Sequence, residues 1–177
     1  DKFLQYCEEY KLPMNKKIKE FSTGMKRKLQ IFAAITHKAK LLLLDEPTSG
    51  LDVVAREQML TLLREYMETE GRAILISSHL SGDLETFCDD IYLIQKGTIT
   101  FHEEMDRLLD AYGLLKVSDE VYKKMDKSHI ICRKKENFGW SCLTDQKAYY
   151  QMHNPEIVIE KGSVDELILL MAGGERI

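Results

Sequence analysis

The sequence predicts an α/β layer followed by a smaller α+β appendage, and three observations carry that reading. Three short apolar runs, Leu41 to Leu44, Ala73 to Ile76 and Ile91 to Ile94, are separated by segments of helical periodicity. That alternation is expected of strands joined by crossover helices. Near Glu103 the pattern changes, and short helical and hairpin signals replace the alternation. Finally, 44% of the 177 residues are hydrophobic and 31% are charged, a balance that lets a chain of this length bury a core in one or two domains.

Taken in order, Phe3, Leu4, Cys7 and Tyr10 share one helical face, and Pro13 ends that helix. A second helix starts near Ser22 and carries Leu29, Ile31, Phe32 and Ile35, with Ser22 or Thr23 able to cap its free backbone N–H groups. The three apolar runs read as buried parallel strands. Between the first two, Val54, Leu60, Leu63 and Met67 recur at helical intervals, and Gly71 stands where a C-terminal glycine is expected. Lys96-Gly97 reads as the turn of a hairpin joining Ile91 to Ile94 with Thr98 to Phe101.

Two helices follow, Glu103 to Tyr112 and Ser118 to Lys127. Then come a hairpin of Ile130 to Arg133 with Trp140 to Leu143, turning through Asn137-Phe138-Gly139, and a strand from Ile157 to Glu160. The last helix opens on Ser163-Val164-Asp165-Glu166, which fits a capping box. Its Val164, Leu167, Ile168 and Met171 share one face, and Phe138, Trp140, Tyr149 and Tyr150 read as packing residues. The domain reading is residues 1–105 for the layered part and Asp106–Ile177 for the appendage.

Bulk properties exclude several classes. A formal charge of -4 argues against a nucleic-acid-binding surface, and the short runs Lys16-Lys17-Ile18-Lys19 and Lys26-Arg27-Lys28 read as solvated faces. Apolar runs such as the four leucines Leu41 to Leu44 fall far below the roughly 18 residues of a membrane span. Asp1-Lys2-Phe3-Leu4-Gln5 lacks the apolar region of a secretory signal. Cys7, Cys88, Cys132 and Cys142 form no CxxC pair, so the expectation is free thiols in a reducing cytoplasm.

The chemistry concentrates where the apolar run Leu41 to Leu44 delivers Asp45 and Glu46, two carboxylates at a strand's C-terminal end. Such a pair can hold Mg²⁺ with one carboxylate and orient or deprotonate a water with the next, which is much of what phosphoryl transfer requires. The string Asp45-Glu46-Pro47-Thr48-Ser49-Gly50-Leu51-Asp52 resembles the Walker B motif and D-loop of ATP-binding cassette (ABC) proteins. Phe21-Ser22-Thr23-Gly24-Met25-Lys26-Arg27-Lys28-Leu29 resembles that family's signature motif in a variant form, with Thr23 and Met25 where many members carry glycine and glutamine. Ile76-Ser77-Ser78-His79 resembles its switch-histidine region, one strand later. The ending Val164-Asp165-Glu166-Leu167-Ile168-Leu169-Leu170-Met171 is similar to the C-termini of single-cassette ATPases that serve bacterial ABC-2 type exporters.

The resemblance implies part of a P-loop NTPase sheet and an ATP hydrolase that uses ATP and Mg²⁺. It implies that Asp45 holds Mg²⁺ through water, that Glu46 is the catalytic base, and that His79 contacts the γ-phosphate. Ser22, Thr23 and Gly24 would meet a terminal phosphate at a helix start, where exposed N–H groups and the helix dipole favour an anion. Asp52 would communicate across a dimer interface with Ser49 nearby, and Thr48 would shape the turn after Pro47. The implied partners are a second nucleotide-binding domain, in a homo- or heterodimer, and a transmembrane permease. The implied location is the cytoplasm, peripheral at the inner face of the cell membrane.

One motif departs from the pattern. No glycine in the chain is followed by lysine, so the phosphate-cradling GxxxxGK[ST] loop does not occur in this sequence. The chain also opens just before the signature helix. The expectation is the back half of a longer ATPase, inactive by itself and prone to self-association through an exposed apolar edge. Two alternatives stand beside this reading: a non-catalytic association module, and a cassette ATPase acting on ribosomes or DNA. The latter would bring twin cassettes, a long coiled coil or a strongly basic surface.

Overall fold

Side-chain caps and apolar spacing set most element boundaries in the computed structural model, which describes residues 1–177. The chain divides into two compact units, Asp1–Asp83 and Leu84–Ile177.

In the first unit, helix α1 (Lys2–Glu9) is capped by Asp1, whose carboxylate accepts from the Phe3 N–H. A single 3₁₀ turn, Ile18–Glu20, leads to helix α2 (Thr23–Thr36). Ser22 is its N-cap, accepting from the Met25 N–H at 3.2 Å. The rings of Tyr6 and Tyr10 lie 5.6 and 5.2 Å from Phe32, which joins α1 to α2. Strand β1 (Leu41–Asp45) passes through helix α3 (Val53–Met67) to strand β2 (Ala73–Ser77), and the two strands pair in parallel. Helix α4 (Ser81–Phe87) follows.

Helix α3 buries Ala55, Met59, Leu60, Leu62, Leu63 and Tyr66. Val54, expected on the buried face, lies in the first turn and is 67% exposed. The Tyr66 hydroxyl donates to the Ala39 carbonyl, which ties the end of α3 to the approach of β1. The strands are buried on one face only: Leu42 is buried, whereas Leu41, Leu43 and Leu75 are 54%, 69% and 61% exposed. This corrects the expectation of buried strands, and it follows from period-two geometry, in which alternate residues point to opposite faces of a sheet.

The third apolar run does not join this sheet. It is strand β3 (Asp90–Gln95), hydrogen-bonded in antiparallel fashion to strand β4 (Thr98–Glu104) and to no other strand. The turn supplies the reason, because Lys96 at φ 50° and Gly97 at φ 78° are both left-handed. That geometry matches the twist of a two-residue hairpin and gives β3 a local partner.

The second unit continues with α5 (Met105–Ala111), β5 (Gly113–Val117), α6 (Asp119–Lys124), β6 (Ile130–Glu136), β7 (Gly139–Thr144), α7 (Lys147–His153), β8 (Val158–Glu160), α8 (Val164–Gly173) and β9 (Glu175–Arg176). Five strands form an antiparallel sheet in the order β8-β5-β7-β6-β9. One core gathers Leu114, Cys132 and Leu143 with Met105, Leu108, Val164 and Leu167. Leu115, Val117 and Cys142 form another with Tyr122 and Tyr150. The capping box of α8 is present: Ser163 accepts from the Glu166 N–H, and Glu166 accepts from the Ser163 N–H.

Ile91 belongs to the first of these cores, with Leu93 and Phe101 packed against it. The β3–β4 hairpin therefore packs with the appendage, and the compact units part within α4, ahead of the 105/106 boundary drawn from the sequence. The helix expected from Glu103 starts later because β4 runs on to Glu104. Of the aromatic residues read as packing, Tyr150 is fully buried and Trp140 stacks on Tyr122 at 4.8 Å, whereas Phe138 is 54% exposed. All four cysteines are free thiols. Burial pushes the Cys142 thiol up to about 12, and burial beside Asp89 pushes Cys88 up to about 11.

Two predictions follow from these features. Gly139 sits at φ 145°, and a Cβ there would collide with the Val117 carbonyl oxygen. Gly139→Ala is expected to lower stability by about 2 kcal/mol or more, measured by denaturant unfolding; an unchanged midpoint contradicts this packing. The exposed Leu41, Leu43 and Leu75 are expected to make the isolated chain self-associate. Light scattering should show concentration-dependent mass that Leu43→Lys with Leu75→Lys reduces, and a monodisperse wild-type monomer contradicts it.

Candidate functional site

The register of β1 on β2 places Asp45 directly opposite Ser77. The residues just beyond these two positions are Glu46 and Ser78-His79, so two loops leave adjacent strand ends together. The Ser77 hydroxyl donates to Asp45 Oδ1 and accepts from the Glu46 N–H at 3.3 Å. The Glu46 N–H also reaches the Ser77 carbonyl at 3.0 Å. These bonds hold Glu46 in a left-handed conformation, φ 50°. Such a backbone costs of order 1 kcal/mol for a residue with a side chain and is typical of sites that must aim a group.

The strained turn points the Glu46 carboxylate at His79. Glu46 Oε2 and His79 Nδ1 are 2.6 Å apart, with the side chains 30% and 63% exposed. A carboxylate beside an imidazole that solvent can reach is able to accept a proton from a bound water. Asp45, Glu46 and His79 are thus brought together by the fold. No group of three or more His, Cys, Asp or Glu side chains is arranged to hold a metal ion. Asp45, oriented by the Ser77 hydroxyl, offers an oxygen ligand of the kind that a Mg²⁺ keeping several waters would take.

The other predicted residues collect around a second feature. Ser22, Thr23, Gly24 and Asp52 line a cleft of about 450 Å³, with Tyr10 and Lys28 also on its wall. Two glycines let the facing segments approach. A Cβ on Gly24 would stand 3.2 Å from Leu51 Cδ2, and one on Gly50 would stand 3.3 Å from Thr23 Cγ2. Gly50 also sits at φ 76°, a conformation that glycine adopts without strain. Asp52 caps α3, its carboxylate accepting from the Ala55 N–H at 2.9 Å. Ser49 is half-buried, its N–H donating to the Glu46 carbonyl at 3.2 Å.

Two contributors were missed by reading the sequence. Ser77 was quoted in a motif without a role, and only strand register shows that it bridges Asp45 and Glu46. Thr48 was read as shaping its turn. It is fully buried, and its hydroxyl donates to Asp83 Oδ2, 35 residues away, at 2.6 Å. No local pattern signals a partner at that distance.

Comparison with known proteins places these features in a family context. Residues 15–82 match the family described as "AAA domain, putative AbiEii toxin, Type IV TA system". Among curated proteins, the chain is 45% identical over 83 residues to the ABC transporter ATP-binding protein YdbJ of Bacillus subtilis, an overlap of 47% of this chain and 27% of that protein. It is 35% identical over 108 residues to the ABC transporter ATP-binding protein YtrB of the same organism, covering 61% and 37%. It is 38% identical over 89 residues to the lantibiotic transport ATP-binding protein SrtF of Streptococcus pyogenes, covering 50% and 38%. The chain thus spans well under half the length of these relatives. A solved ATP-binding subunit of an ABC transporter superposes with a TM-score of 0.55 at 28% identity, covering 60% of this chain and 45% of the other.

Proposed function

We propose that this chain, which resembles the ATP-binding subunits of ABC transporters in sequence and fold, supplies the water-activating and switch side of an ATP hydrolysis site. The observation that carries the proposal is the pairing of Glu46 with His79 at the ends of two register-matched parallel strands. In this reading the Glu46 carboxylate accepts the proton of the attacking water, and His79 Nδ1 fixes the carboxylate while its ring faces the γ-phosphate. Asp45, oriented by the Ser77 hydroxyl, holds Mg²⁺ through water. The cation's contribution is to neutralise charge on the phosphates.

Ser22, Thr23 and Gly24 stand at the N-terminus of α2, a 14-residue helix. Its exposed N–H groups and dipole suit the terminal phosphate of a nucleotide held by a second cassette. Asp52 lines the same cleft and, with Ser49 nearby, would report on that interface. The GxxxxGK[ST] phosphate loop does not occur in this sequence, and in this reading an N-terminally extended protein would supply it. No helix here is long and apolar enough to cross a membrane. In this reading the energy of hydrolysis passes to a transmembrane permease. Such a subunit would act from the cytoplasm, peripheral to the membrane.

The test is Glu46→Gln in an N-terminally extended chain that carries the phosphate loop. The amide preserves shape but cannot take the proton, so the ATP turnover rate should fall about a hundredfold or more while Mg-ATP affinity stays within about threefold. Undiminished turnover in the variant contradicts the assignment of Glu46.

A further inference from the structure

We propose that Thr48 and Asp83 form a buried positioning couple that sets Glu46 against His79, so that its loss slows hydrolysis without weakening nucleotide binding. The inference rests on the ATPase reading above. Thr48 lies two residues after Glu46, and Asp83 lies four residues after His79. The bond between them therefore closes the far end of the same two loops that Glu46 and His79 close at the near end. Thr48 is 0% exposed and Asp83 is 5% exposed, and the hydroxyl donates to Asp83 Oδ2 at 2.6 Å.

The intervening backbone is linked bond by bond. The Asp83 N–H donates to the Leu80 carbonyl at 3.0 Å, and the Leu80 N–H donates to Ser78 Oγ at 3.0 Å. On the other loop the Leu51 N–H donates to the Thr48 carbonyl, and the Ser49 N–H donates to the Glu46 carbonyl, both at 3.2 Å. A continuous hydrogen-bonded path thus runs from Asp83 back towards His79.

Burial explains why this contact, and not packing of the reacting groups, does the positioning. The His79 side chain is 63% exposed, so its surroundings fix it weakly. A buried carboxylate must find donors, and Thr48 supplies one from the neighbouring loop. The bond makes the distance between the loop after β1 and the start of α4 specific, because sliding either one breaks it. Neither Thr48 nor Asp83 lines the cleft, and both are proposed to act through Glu46 and His79.

The test uses the N-terminally extended, phosphate-loop-containing protein. Thr48→Val removes the hydroxyl at nearly constant volume and should lower the turnover number about tenfold, with KM for ATP unchanged within about twofold. Thr48→Ser restores the donor and should stay within about threefold of wild type. A turnover number unchanged by Thr48→Val, a loss confined to KM, or a Thr48→Ser variant as slow as Thr48→Val each overturns the couple. Should Thr48→Val fail to fold, Asp83→Ala carries the test, because it removes the acceptor of the Thr48 hydroxyl. A fall of about threefold or more in turnover at constant KM supports the couple, and no fall overturns it. An extended parent that hydrolyses no ATP overturns the proposed function itself, whereas an active parent with an unaffected Thr48→Val variant overturns the couple alone.

Discussion

The parallel register of β1 against β2 is the constraint on which the rest of the site depends. Five residue pairs, Leu41 with Ala73 through Asp45 with Ser77, bring two strand ends level. Asp45, Glu46 and His79 lie at or just past those ends. A slip of one residue would turn Asp45 and Ser77 to opposite faces and break the bridge that the Ser77 hydroxyl makes between Asp45 and the Glu46 amide. The strain at Glu46 is supported by the same bridge. Burial of one sheet face, through Leu42 and the side of α3 that carries Leu60 and Leu63, is what holds the register in place.

Around this frame the loop after β1 serves two sites in succession. Its first residues present Glu46 to His79, its middle residue Thr48 anchors in the interior, and Gly50 and Leu51 pack against the start of α2. The connection is short because two glycines allow backbone contact where side chains would separate the segments.

Much of this was legible in the sequence, for identifiable reasons. Ser22 and Ser163 were readable as helix starts because a cap is a local interaction, complete within four residues. The turn at Lys96-Gly97 was readable because left-handed φ values restrict residue choice. Asp45, Glu46 and His79 were found through ordered strings, and geometry then set Glu46 and His79 side by side. What escaped depended on distant partners. The third apolar run looked like another parallel strand, since hydrophobicity does not say with whom a strand pairs. β5 falls in the gap between the helices expected over Glu103 to Tyr112 and Ser118 to Lys127, and the two residues of β9 are too few to make a pattern. The Thr48–Asp83 bond joins residues whose local contexts suggest only a turn and a helix start.

The central claim is that this chain holds one side of a nucleotide site whose phosphate cradle lies N-terminal to it. The direct measurement is a titration of a fluorescent ATP analogue, with Mg²⁺, into the 177-residue chain and into its N-terminally extended form. The account predicts no saturable binding by the first and a dissociation constant in the micromolar range, about -8 kcal/mol, for the second. Tight, saturable binding by the 177-residue chain alone would show that another phosphate cradle exists within it and would contradict the account.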